Sequence, residues 1–392
     1  MSDIPITVPS RRQTISALIL GSVALLILGL QPLLLGELVA HHRVSLTGIG
    51  MVAMGEIVAL GLGVIVGNTF LSPVSLPGVV FMTAAPLALL DLLTARLTGD
   101  GAFAATRAFA GLLEGILVWV TTSVIVRTPT PDRLAAVFFV TQTLAQAAAA
   151  ALLASVIIPI TGWQGGFAML GVVSLALLVL APALRPGLNP LRSHGTTPPL
   201  RSPATWITFA VVLAQMSSIG ALWAYLDPLG RTIGLTGPQV GVLIAVVLLL
   251  QVIGGSTAAA IIRKLPAPKL LLATSLLLAA VTATLRTPLS APIFSALCGL
   301  FGFVWLFRMP FQVRLAFAAD PTGRVAVLVP ALQLLGSAFG PLLASLLVVT
   351  DDDAHAVPLV CTGFEILALG LLLAGRTLFN GSGTHSTSGE PL

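Results

Sequence analysis

Thr14 to Val39 reads TISALILGSVALLILGLQPLLLGELV, with one charged residue, Glu37, near its end. A helix needs about 20 apolar residues to cross a bilayer core. This run exceeds the 7–15 residues of a signal-peptide core, so it is expected to be a first membrane helix, with Arg11 and Arg12 just before it. The rest of the chain agrees. Its 392 residues are 56% hydrophobic and 8% charged, and the mean hydropathy is +1.04. Soluble domains carry about 25% charged residues. A chain this poor in charge could not cover its own surface in water, so an integral membrane protein with the bilayer as its solvent is expected. The net charge of +5 therefore implies no nucleic-acid partner. Cys298 and Cys361 stand in apolar runs with no disulfide or metal-site spacing.

Twelve spans follow, at about 14–39, 46–68, 76–95, 102–126, 134–158, 164–184, 204–227, 238–262, 268–285, 289–311, 325–349 and 356–379. The fold class expected is all-α, in two pseudo-symmetric six-helix bundles. The stretch Gly187–Ala204, GLNPLRSHGTTPPLRSPA, has linker composition. The domains expected are an N-terminal bundle over 1–185, a cytoplasmic linker over 186–203 and a C-terminal bundle over 204–392. The small, polar tail from about 381, GSGTHSTSGEPL, is expected to be disordered. Fourteen of the nineteen basic residues fall at one set of alternate span ends, four (Arg43, Arg96, Arg231 and Arg286) at the other, and Arg107 lies within a span. The positive-inside rule then places both termini in the cytoplasm. Two lysines against seventeen arginines are compatible with a GC-rich bacterial genome, and a monomer in a bacterial inner membrane is expected.

The halves echo each other. Leu46-Thr47-Gly48 returns as Leu235-Thr236-Gly237, at an offset of 189. Arg133 and Gln142, in TPDRLAAVFFVTQTLAQA, match Arg324 and Gln333, in PTGRVAVLVPALQLLGSA, at 191, and Gly111 maps onto Gly302. Parallel repeats with a site at their midplane interface are a transporter design.

These features resemble the major facilitator superfamily over essentially the whole chain. RAFAG, Arg107–Gly111, is similar to its fourth-helix motif, and WQGGF, Trp163–Phe167, to the opening of its sixth helix. WAYLDPLGRTIGLTGPQVG, from Trp223, resembles the drug- and sugar-efflux branch. The chain also departs from the family. GNTFLSPVSLPG, from Gly67, lacks the gating motif of the second loop, and IIRKLPAPK, from Ile261, keeps only its basic residues. AQAAAAALL, from Ala145, stands where antiporters carry Gly-Pro, and GSAFGP, Gly336–Pro341, lies in the eleventh span instead. The resemblance implies alternating access and links Arg107 to proton coupling, with helices 1, 4, 7 and 10 around a central cavity.

Arg107 and Glu114 share a helix face, seven residues and about 10 Å apart, so direct contact between them is not expected. A charge at mid-span costs at least about 2.5–3.5 kcal/mol, so it should face a partner or a cavity. The proton-coupling candidates are Arg107, Glu114, Glu56 and Asp91. Asp91, Glu37 and Asp227, near span ends, are expected to be solvated or snorkelling. Arg308 is expected to anchor at the interface, and Glu365 to carry little function. The substrate candidates are Gln31, Trp119, Gln142, Gln146, Gln215, Ser218, Trp223 and Trp305. Trp206 and Tyr225 read as interface belt. Trp305 is the offset partner of Glu114, which suits an amphipathic substrate.

His41, His42 and Glu37, and the run DDDAH from Asp351, lack metal-site spacing. No P-loop is present. All five histidines fall in loops or the tail, against an intramembrane enzyme. No metal or cofactor is expected. The expected function is proton-coupled secondary transport of a small amphipathic molecule, by export. Uptake of an organic anion paired with Arg107, and a non-transporting sensor or scaffold, are the alternatives.

Overall fold

A computed structural model of the chain describes residues 8–185, 188, 202–262, 264–320, 324–348, 354, 356–376 and 378. Among them there is helix and no strand. In chain order the helices are α1 (Arg11–Ala24), α2 (Leu26–Ala40), α3 (Gly48–Phe70), α4 (Leu76–Thr94), α5 (Asp100–Ile125), α6 (Pro131–Leu152) and α7 (Ile158–Ala176). After the central segment come α8 (Pro203–Ala224), α9 (Leu226–Thr232), α10 (Gly237–Ile261), α11 (Ala267–Thr284), α12 (Ala291–Ala319), α13 (Arg324–Leu347) and α14 (Ala356–Ala374). Among the described residues, eleven stretches are long and apolar enough to cross a membrane. One of them, Arg133–Leu184, is broken at Gly162, where φ is 69° and ψ is −172°. Glycine reaches that backbone without a Cβ clash. Two crossings come from that stretch, which makes twelve among the described residues. Phe70, Ile160 and Val179 are more than three-quarters exposed. Such surfaces are sound only with lipid around them.

The first and seventh crossings are each two helices. The first is interrupted at Leu25, and Pro32 lies within its second part, α2. Proline has no N–H, so the Leu28 carbonyl, four residues back, loses its usual donor. The indole Nε1–H of Trp223 fills the place at 2.7 Å. The seventh crossing breaks at Tyr225, between α8 and α9.

The repeat is built into the packing. An added Cβ on Gly111 would meet the Glu56 carbonyl, and one on Gly302 would meet that of Val247. Gly63 packs on the Leu112 carbonyl as Gly254 packs on that of Phe303, and Gly29 packs on Gln146 as Gly220 packs on Ser337. Each contact recurs at an offset of 191, so α3 on α5 and α10 on α12 are the same glycine-to-carbonyl interlock. Small residues let membrane helices approach this closely. Gly336 and Gly340, from GSAFGP, press α13 onto the Leu213 and Ser217 carbonyls of α8.

The two halves touch at the end of the bundle away from both termini, here called outer. Tyr225 donates its hydroxyl to the Leu46 carbonyl at 3.1 Å. Gly50 of α3 meets Pro341 and Ser345 of α13, and Gly241 of α10 meets Ala154. Tyr225 is fully buried, which corrects its expected place in an interface belt. Its ring sits in the seam between halves, where a hydroxyl needs a partner. Trp206 is 62% exposed, as a belt residue should be. Most of the linker 186–203 and the tail from 381 lie outside the described residues, as do Asp351–Asp353 and His355. Within the linker, the Leu188 N–H donates to the Pro73 carbonyl at 2.8 Å.

Candidate functional site

Four charged side chains meet inside the N-terminal half. Gly111 lets α5 lie against α3, which brings Glu56 to Arg107. Arg107 Nε donates to Glu56 Oε1 at 2.7 Å, and its Nη2 pairs with the same oxygen. Nη1 donates to Asp91 Oδ1 at 2.7 Å, and Nη2 reaches Glu114 Oε1 at 3.1 Å. Gln31 Nε2 donates to Glu56 Oε2 at 3.2 Å, and Ser174 Oγ to Asp91 Oδ2 at 3.1 Å. The Phe167 ring lies 5.7 Å from the guanidinium carbon. All four charged groups are at least 96% buried. Glu114 Oε2 has no hydrogen-bond partner among the described residues.

Two expectations are corrected here. Arg107 and Glu114 do touch, because the long arginine side chain runs along the helix axis and covers the separation of their backbones. Asp91 is 2% exposed rather than solvated, because α4 turns it inward onto Arg107 and Ser174.

One guanidinium faces three carboxyls, and fully ionised the cluster would carry a charge of −2 in a site closed to water. Burial of unpaired charge is costly enough that such groups take up protons instead. The other half provides a control. At the offset of 191, Glu56, Asp91, Arg107 and Glu114 correspond to Val247, Thr282, Cys298 and Trp305. The six-helix unit therefore packs with the same interlocks without these charges.

The C-terminal half has a different polar core. Arg308 is fully buried, and its Nη1 donates to both carboxylate oxygens of Glu365, at 3.0 and 3.2 Å. Its Nη2 donates to the Gln215 carbonyl. Gln333 donates to Gln312, Gln312 to Gln215, and Gln215 to Ser275, at 2.8, 2.9 and 2.9 Å. Arg308 is thus no interface anchor, and Glu365 no isolated group. The helix register carries both into the bundle, where they neutralise each other.

A third charged group ties the halves together. Arg231 of α9 donates to Asp227 at 2.6 Å and to Glu37 of α2 at 2.5 Å. Glu37 and Asp227 are 6% and 0% exposed, so neither is solvated as expected. Their carboxylates are held inward by the arginine between them. The i,i+4 spacing of Asp227 and Arg231 was a visible signal for this pair. Nothing in the sequence pointed to Glu37 as the third member, or to Phe167 and Ser174 at the buried cluster.

The substrate candidates divide into two groups. Trp223 and Trp305 form an edge-on pair 5.3 Å apart at the seam between halves. Gln142 is partly buried with Oε1 unpartnered among the described residues, and Gln146 donates to the Leu25 carbonyl at 2.6 Å. Gln31 and Gln215 spend their amides on protein partners. Trp119 packs over Gly67, and Ser218 is buried within α8. Among the described residues, no His, Cys, Asp and Glu cluster is arranged to hold a metal ion.

No protein-family profile and no curated protein matches the chain. Solved structures do. The nucleoside transporter NupG is similar at a TM-score of 0.70 and 12% identity, over 94% of this chain and 100% of that one. A bacterial homologue of the human lysosomal transporter Spinster, inward-facing and unoccupied, gives 0.67 and 12%, over 95% and 97%. A D-xylose–proton symporter gives 0.63 and 17%, over 92% and 95%.

Proposed function

Because the chain has the fold of the major facilitator transporters, we propose that it is a proton-coupled secondary transporter working by alternating access. Its units are the six-helix bundles 1–185 and 204–392, joined by the linker 186–203. It works as a monomer in a bacterial inner membrane, with both termini in the cytoplasm. Glu56, Asp91 and Glu114 are the proton-coupling carboxyls, and Arg107 biases their charge.

The observation behind this reading is the excess of buried acid. Three carboxyls around one guanidinium cannot all be ionised at these depths, and the duplicated half folds with uncharged residues at the same places. Intramembrane ionisable groups without a packing necessity mark ion pathways. Glu114 has the weakest hold on Arg107 and an unpartnered oxygen, and it and Glu56 carry the exchangeable protons.

The substrate is a small amphipathic molecule, taken at the seam by Trp223, Trp305, Gln142 and Gln146. Gln31, Trp119, Gln215 and Ser218 shape the surrounding walls. Export is the direction favoured, on the resemblance of the Trp223–Gly241 stretch. Import is the second reading, supported by the likeness to a D-xylose–proton symporter. Uptake of an organic anion paired with Arg107 fits less well, because all three arginine nitrogens are engaged by acids.

The test uses purified protein in liposomes with an interior pH dye and a panel of amphipathic drugs, sugars and organic acids. Wild type is expected to give a substrate-dependent proton flux that Glu114→Gln and Arg107→Ala lose while remaining folded. Flux unchanged in both variants would overturn the assignment of the cluster.

A further inference from the structure

The buried cluster and the outer contacts between halves share one helix, α2. Resting on the proton-coupling reading above, we infer that Gln31 is a positioning residue through which the charge of Glu56 sets whether the outer side is closed.

The geometry runs along fifteen residues. Below Gln31 is the Leu28 carbonyl, freed by Pro32 and taken by Trp223 of the other half. Above it, Gly36 packs against the Asp227 side chain, and Glu37 binds Arg231, both of the other half. Between these cross-half contacts, Gln31 reaches into its own half and donates to Glu56. The helix is separated from α1 at Leu25, so it can tilt as a unit.

An amide N–H bound to a carboxylate is held about twice as tightly as one bound to a neutral acid. Protonation of Glu56 therefore loosens α2 from its own half, and its cross-half contacts then lose their support. Arg107 and Glu114 of α5 and Asp91 of α4 are the charged groups facing Glu56. Glu37 on α2 is committed to Arg231. Neither α8 nor the described side chains of α13, which also pack on α3, has an Asp, Glu, Lys, Arg or His. The outer-closed arrangement then favours the ionised Glu56. The proton is taken up with the outer side open and given up with it closed, as an inward proton gradient requires.

The test is a distance measurement on the full chain in liposomes. Spin labels go on Thr98→Cys and Thr287→Cys, exposed positions on the outer side of the two halves. The native Cys298 and Cys361 are buried. Between pH 8.5 and 5.5 the ratio of short to long distances is expected to fall about fivefold to tenfold. Gln31→Met keeps the volume, and Gln31→Asn keeps the amide but shortens its reach. Both are expected to leave two distances whose ratio no longer follows pH. Glu56→Gln should be equally flat.

If Glu56→Gln is flat while both Gln31 variants still follow pH, the role of Gln31 is overturned and the proton reading stands. If the wild-type ratio ignores pH, the inference falls whatever the proton flux. If Glu56→Gln follows pH like wild type and also keeps substrate-dependent proton flux, the cluster assignment falls with it.

Discussion

Arg107→Leu is the perturbation that most directly reads the charge arithmetic of the buried cluster. The guanidinium makes contacts of 2.7, 2.7 and 3.1 Å to three acids, in a site at least 96% buried. Removing one partner of a buried ion pair costs about 3–5 kcal/mol, since it leaves charge unpaired in a low dielectric. For a unit the size of one bundle, this corresponds to a loss of roughly 10 °C or more in Tm. Glu114→Gln should behave differently. It removes a carboxyl from a site with too many, so its Tm at pH 7.5 should stay within about 3 °C of wild type or rise. The carboxyls stranded by Arg107→Leu can be neutralised by protons. Much of its deficit should therefore vanish at pH 5, and adding Glu56→Gln should recover part of it at pH 7.5. The assay is thermal unfolding in detergent at both pH values, followed by tryptophan fluorescence. An Arg107→Leu variant as stable as wild type, or a Glu114→Gln variant as damaged as Arg107→Leu, would refute the reasoning.

The Arg308–Glu365 pair is neutral by itself, so Glu365→Ala should cost about 3–5 kcal/mol, whereas Arg308→Leu with Glu365→Leu should be nearly neutral by thermal unfolding. The double variant should also keep substrate-dependent proton flux. Gly111→Leu and Gly302→Leu should each cost about 1–3 kcal/mol or more, because the new side chain runs into the Glu56 or Val247 carbonyl. Only the first should also change proton flux, since it moves Glu56 away from Arg107. Trp223→Phe deletes the donor to Leu28 and should weaken outer closure by about 0.5–1.5 kcal/mol. The readout is a lower ratio of short to long distances between spin labels on Thr98→Cys and Thr287→Cys.

The sequence by itself determined the membrane class, the twelve crossings and the duplication. These depend on composition and on repeated spacing, which are properties of the chain read in order. Hydrophobic length sets how many times a chain crosses a bilayer, wherever the helices later dock. The offset of 191, read from Arg133, Gln142 and Gly111, reappears in three pairs of glycine contacts. Within the buried cluster, Glu56 and Glu114 were legible too, since a charge at mid-span stands out.

What the sequence left undecided was who meets whom. Arg107 and Glu114 were expected apart, and Asp91, Glu37 and Asp227 in water. Arg308 and Glu365 were read as an anchor and a bystander. Each outcome depended on helix rotation and on which helices become neighbours. Those are set by where glycines allow close approach, and a rotation of a few tens of degrees moves a side chain from lipid to core. Local spacing records the angle between residues on one helix, and it contains nothing about the helix opposite. The bond from Trp223 to Leu28 shows the boundary. Pro32 announces a free carbonyl, but only the docking of the two halves supplies the indole that takes it.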